Sequence, residues 1–135
     1  GLVGSEMCIR DRVRTSHQEK AGYRRALTKY RPIAHTKDYT LLELQLITGK
    51  THQIRAHMQA MGHPVLGDRK YGDAEVNRRV RAEFAISNQC LHARKIVWKE
   101  KEGFLSYLYG KQMTASLPKN MQAVCDSLFG EAGHF

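Results

Sequence analysis

The chain is short of several things that would otherwise place it. It has three cysteines, Cys8, Cys90 and Cys125, far apart and with no CxxC pair. That number is odd, so it gives neither a disulfide framework nor a zinc site, and it fits a reducing cytoplasm. Apolar runs are short, and none approaches the roughly 18–20 residues a spanning helix needs. The first nine residues, GLVGSEMCI, lack a basic start and are broken by Glu6, so they do not read as a signal peptide. Acid is scarce: 13 Asp and Glu stand against 22 Lys and Arg, a formal net charge of +9 in 135 residues. A domain this basic attracts polyanions, nucleic acid before membrane here. Apolar residues at 41% and charged residues at 26% are otherwise an ordinary globular balance, which excludes collagen-like, mucin-like and largely disordered chains.

Length allows one core. Residues 1–12, GLVGSEMCIRDR, show neither helical nor strand periodicity and resemble translated sequencing-adapter DNA. They are expected to be a non-native tail outside the fold. Their charges cancel (Arg10 and Arg12 against Glu6 and Asp11), so the +9 lies in residues 13–135. Residues 13–29 are basic and polar and read as a linker or edge segment. From Tyr39 to Ile47, Leu42, Leu44 and Leu46 alternate with Glu43 and Gln45, which predicts a half-buried strand. Thr48-Gly49-Lys50 is a turn. Thr51 then caps a helix with Ile54, Met58 and Met61 on its inner face, stopped by Gly62 and Pro64. Residues 64–73 form a loop, and 74–85 are helix-compatible. Leu91–Trp98 and Phe104–Tyr109 read as strands about the turn Lys99–Gly103. A last helix after Pro118 turns Met121, Val124, Cys125 and Leu128 inward and ends at Gly130. That order suggests an α+β fold with a mixed, mainly antiparallel sheet and flanking helices.

The informative stretch is residues 48–72, TGKTHQIRAHMQAMGHPVLGDRKYG. It leads a strand through a tight turn into a helix that carries Lys50, His52, Gln53 and Arg55 in its first turns. A helix start favours anions, and the cations add to that, although a plain solvated basic face has the same look. Gly49-Lys50-Thr51 imitates the end of a P-loop, but the glycine needed five positions earlier is Leu44, which excludes that nucleotide loop. His52 and His57 are five apart, about 140° out of register on a helix, and Gly62 separates His63, so no metal site is expected.

The same stretch resembles the signature of RluA-family RNA pseudouridine synthases. QCLHARKIVW at 89–98 resembles the family's next motif, and SLPKNM at 116–121 is similar to its usual ending. KYGDAEVNR at 70–78 is similar to the RluC-type branch, which acts on large-subunit ribosomal RNA. The resemblance covers about residues 26–130. It implies the pseudouridine synthase fold and isomerisation of uridine to pseudouridine in RNA, with no metal or organic cofactor. The base leaves C1′ of the ribose, turns, and rejoins through C5. It also implies that Arg55 pairs with the family's catalytic Asp, holding it ionised, and that Leu91 packs near the target base, where a plain core leucine is the alternative. Phosphate contacts are expected from Lys50, His52, Gln53, Arg69, Lys70, Arg94 and Lys95 around a flipped-out base.

One departure matters. The family's RLD-type motif is absent, and none of Asp11, Asp38, Asp68, Asp73 and Asp126 stands in its context. The family's active-site Tyr lies well upstream, and neither Tyr23 nor Tyr30 matches it. Residues 13–135 are therefore expected to be the C-terminal portion of a catalytic domain, an incomplete fold in which Arg55 pairs with a missing Asp. Such a piece should expose apolar faces and be inactive and poorly soluble by itself. The alternative is a non-catalytic basic RNA-binding module. A cytoplasmic location and a monomeric full-length protein complete these expectations.

Overall fold

The computed structural model describes the backbone of residues 2–8, 14–16, 23–49 and 52–133. The chain runs β1 (Leu2–Cys8), β2 (Arg14–Ser16), β3 (Tyr23–His35), β4 (Thr40–Leu46), α1 (Gln53–Ala60), α2 (Ala74–Phe84), β5 (Lys95–Val97), β6 (Gln112–Thr114) and α3 (Lys119–Phe129). The first four strands make one sheet in the order β2-β1-β3-β4, and β5 and β6 make a separate ribbon. Every pairing among the described strands is antiparallel, and the α+β class expected from the sequence holds.

Two segments differ from the sequence reading. Leu2–Cys8, expected to lie outside the fold, is a strand paired along its whole length with β3. Residues 23–29 are not a linker or an edge. They open the thirteen-residue strand β3, which lies inside the sheet between β1 and β4. Its pattern is hard to read because the inward positions are small or polar: Ala26 and Thr28 are fully buried, while Lys29 and Arg31 are exposed. Pro32 cannot donate to a ladder, and the β3–β4 register shifts at Pro32/Ala34. β4 is half-buried as predicted, with Leu41, Leu42 and Leu44 partly covered and Leu46 half exposed.

α1 lies against β3, but not on an apolar stripe. Its buried residues are Gln53, Ala56, His57 and Met58, whereas Met61, expected inside, is exposed. The polar side chains go inward because they meet a polar network. Thr48 Oγ1 accepts from the Leu27 N–H and donates to Gln53 Oε1, each within 2.9 Å. Gln53 Nε2 donates to the Leu27 carbonyl and to Thr28 Oγ1, both at 2.8 Å, and Thr28 Oγ1 also meets His57 Nδ1 at 3.3 Å. A fully satisfied buried network fixes the strand–turn–helix geometry more tightly than an interchangeable apolar contact does. Ala26, Ala56 and Tyr71 supply the apolar part of this layer.

The second core joins α2 to α3: Val80, Ile86 and Val124, with Leu66, Phe84, Cys90 and Leu128 against them. α2 begins at Asp73, whose Oδ1 accepts from the Glu75 and Val76 N–H groups at 2.9 and 3.0 Å. Asp73→Ala is expected to cost about 1 kcal/mol, the usual worth of such a cap, read as a shift of the urea midpoint at unchanged slope. α3 follows Pro118 and stops at Gly130, as predicted. The ribbon is where the strand prediction failed. β5 is three residues long, and its partner is Gln112–Thr114 rather than 104–109. Ser106–Leu108 is a single 3₁₀ turn instead, and Gly110 at φ +77 turns the chain back towards Trp98. Ile96, Met113, Phe104 and Tyr107 are exposed here. No helix among the described residues is long and apolar enough to cross a membrane.

Candidate active site

The turn after β4 delivers His52 and then Arg55 to one place. His52 precedes α1 at φ 54, a left-handed conformation uncommon outside glycine. Arg55, one turn on, points at the loop 63–72. Its Nε donates to Asp68 Oδ2 at 2.6 Å and its Nη2 to Asp68 Oδ1 at 2.9 Å, a two-pronged guanidinium–carboxylate pair. Asp68 Oδ1 also accepts the Lys70 and Tyr71 N–H groups, both at 3.0 Å, which closes the turn on itself. The Asp68 side chain is 0% exposed and that of Arg55 15%.

Other groups hold this pair in place. Asn77 of α2 accepts from the Gly67 N–H and donates to the Asp68 carbonyl, both at 2.8 Å. Gly67 must be glycine: φ is +80, and a Cβ there would stand 2.2 Å from the Asn88 carbonyl oxygen. The Tyr71 ring lies 5.2 Å from the Arg55 guanidinium carbon and 5.3 Å from Lys70 Nζ. Its hydroxyl meets His52 Nδ1 at 3.2 Å, and the two rings are edge to face at 5.6 Å.

The protonation states follow. Asp68 is held down from 3.8 to about 2, first by its hydrogen bond from Arg55, with the Tyr71 and Lys70 amides helping against burial. The same hydrogen bond raises Arg55. Burial, then the Arg55 and Lys70 cations, push His52 down. Burial alone pushes His57 down. The folded value of Asp68 is depressed, so its stabilisation is complete above about 4 and is lost as pH falls through 2. A fall from 3.8 to about 2 corresponds to about 2–3 kcal/mol. Urea unfolding between pH 5 and pH 2 is expected to lose that amount from this carboxylate, after an earlier loss below about 6.5 as His57 is forced to charge.

Within the described residues Arg55 thus has an acid partner that the sequence reading did not give it, Asp68, in a turn whose Asp accepts amides two and three residues on. That local signature was present in GDRKYG and went unread. Asp68 is nonetheless closed off from any ligand. Among the described residues, Nη1 of Arg55 and one N–H of Nη2 have no hydrogen-bond partner, and His52 stands close by. Gln53, expected to contact RNA, is 3% exposed and occupied at both ends of its amide, so it is a structural cross-link. Leu91 is 37% exposed, which is not the state of a plain core leucine. Lys50 lies outside the described residues. Arg69, Lys70, Arg94 and Lys95 are exposed. Arg69 Nε donates to the Ser87 carbonyl at 2.6 Å, and Arg94 lies 3.7 Å from Glu43. Tyr71 and Asn77 belong to the site and were missed. Burial pushes the Cys90 thiol up to about 11 and raises Cys125, so neither is a nucleophile at neutral pH. Among the described residues, no group of three or more His, Cys, Asp or Glu is placed to hold a metal.

Residues 5–60 match the family model described as RNA pseudouridylate synthase. Ribosomal large subunit pseudouridine synthase D of Zymomonas mobilis is 38% identical over 102 residues, 73% of this chain and 30% of that protein. tRNA pseudouridine synthase C of Vibrio cholerae is 38% identical over 82 residues, 53% of this chain and 34% of that protein. The chain thus spans about a third of the length of these curated relatives. The solved structure of human RNA pseudouridylate synthase domain containing 4 superposes with a TM-score of 0.64 at 22% identity, over 90% of this chain and 53% of that one. That likeness shows the fold.

Proposed function

We propose, for a chain that belongs to the RNA pseudouridine synthase family, that residues 13–135 are the C-terminal portion of a catalytic domain and carry the arginine side of a uridine-isomerising site. In the reaction the N1–C1′ bond of uridine breaks and a C5–C1′ bond forms. The C5 proton goes to solvent and N1 gains one. The observation that supports the reading most is the Arg55 fork, gripped from behind by Asp68, with Nη1 left to hold a second, reacting carboxylate. A preset guanidinium keeps such a carboxylate ionised in a pocket that excludes water. The net charge of +9, with Arg69, Lys70, Arg94 and Lys95 exposed, suits an RNA backbone. Leu91 is assigned to the target base, and large-subunit ribosomal RNA is the substrate suggested by KYGDAEVNR. The printed names of the relatives include both ribosomal and transfer RNA enzymes. A cytoplasmic location belongs to the same reading.

A second reading has an observation in its favour. Asp68 is walled off and no RLD triplet occurs in the sequence, so the 135 residues by themselves are a basic RNA-binding module without turnover. Tritium release from RNA labelled at uridine C5 tests both. The longest reading frame that carries these residues is expected to release tritium, and the purified 135 residues to bind the RNA and release none. Release by the 135 residues overturns their inactivity. No release by the longer product overturns the isomerase reading.

A further inference from the structure

Away from Arg55, one face of α2 forms the wall of a second hollow. Ala74, Asn77, Arg78 and Arg81 stand at i, i+3, i+4 and i+7, so they share one side of the helix. Opposite them are Arg69 and Ser87, and together they line a cavity of about 350 Å³. Three arginines therefore line one space. Two further observations make this more than a charged surface. Arg69 is held in place, because its Nε is spent on the Ser87 carbonyl at 2.6 Å, which leaves its terminal nitrogens as donors on a fixed arm. Acid is also missing: among the described residues no carboxylate pairs with Arg69 or Arg81, and Arg78 has only a 3.9 Å approach to Glu75, both of them mostly exposed. The nearby Asp73 carboxylate is occupied in capping α2. Three like charges around one hollow repel each other unless an anion joins them.

We infer that this cavity is a phosphate subsite that takes a phosphodiester of the RNA backbone. The inference rests on the RNA reading above but not on catalysis. Its position fits that use. Asn77 reaches from the cavity wall to hold Gly67 and the Asp68 carbonyl, and Asp68 in turn holds Arg55. The subsite and Arg55 thus brace against the same turn, so one RNA strand seated here is set in register for the other.

The test is anisotropy of fluorescein-labelled oligocytidylate bound to the 135-residue chain across a salt series. Cytidylate contains no uridine, so failure here is separate from failure of the isomerase reading. Arg78→Ala/Arg81→Ala is expected to weaken binding about tenfold and to reduce the salt slope by about 1–2, the loss expected for one or two phosphate contacts. Arg78→Lys/Arg81→Lys should keep most of the slope. Arg79→Ala, on the same helix but off the cavity, should shift affinity less than about twofold. The circular dichroism of all three should match the parent. In a second arm, inorganic phosphate should protect these arginines from a dicarbonyl reagent no better than sodium chloride of equal ionic strength, while oligocytidylate protects them. Unchanged affinity and slope in the double Ala variant, or an equal effect of Arg79→Ala, overturns the inference. Full protection by inorganic phosphate overturns the assignment to RNA.

Discussion

Asp68→Ala is expected to lose about 3–5 kcal/mol of folding stability, the largest single loss at any charged position here. The carboxylate is fully buried and is the acceptor for four N–H groups: two from Arg55 and the amides of Lys70 and Tyr71. Removing it strands a guanidinium that is 15% exposed and orphans two backbone donors. The contrast lies within the same chain. Arg31 and Glu43 pair at 3.0 Å but are 70% and 46% exposed, so Glu43→Ala should cost less than about 1 kcal/mol. Domains of this size hold only about 5–15 kcal/mol in total. Urea denaturation of the two variants side by side checks the prediction. Similar small losses would mean that Asp68 is not the anchor of the site.

Arg55→Ala is expected to remove turnover almost entirely, by about a thousandfold or more, in the polypeptide that releases tritium. RNA affinity should fall only by about the worth of one phosphate contact. The split follows from geometry. Losing a fixed donor aimed at a reacting group costs about 10²–10³ in rate, and here the arginine also sets the ionisation of that group. Binding, by comparison, is shared among many exposed cations. Arg55→Lys should fail nearly as badly, because an ammonium cannot grip Asp68 by two bonds and present a third nitrogen forward. Single-turnover rates and anisotropy on the same RNA separate the two effects. Equal losses in rate and affinity would make Arg55 an ordinary phosphate contact.

The parts of the fold that could be read from the sequence were those where chemistry and periodicity agree. β4 alternates Leu with Glu and Gln, and α3 has a proline before it, a glycine after it and an apolar face between. β3 could not be read that way, because Ala26 and Thr28 face the core without looking apolar enough to mark a strand. α1 lies where the sequence places it, but of its expected inner face Met58 is buried and Met61 is not. Its inward residues, Gln53 and His57, are polar, and they bond to groups on β3 that lie 25 to 29 residues earlier. The site was legible as far as Arg55. Its partner was not, since thirteen residues and a glycine-dependent turn separate Arg55 from Asp68, and only folding brings the two within 2.6 Å. The ribbon partner of β5 failed for the opposite reason. Phe104–Tyr109 has strand-like composition, but the turns around Gly103 and Gly110 spend it on a 3₁₀ loop.

A double-mutant cycle in folding stability on Arg55 and Asp68 is the most direct check that these two side chains are one unit. If they are, Arg55→Ala/Asp68→Ala loses little more than the worse single variant, a coupling of about 2–3 kcal/mol. Losses that simply add would show two independent residues, and the preset guanidinium on which the isomerase reading stands would not exist.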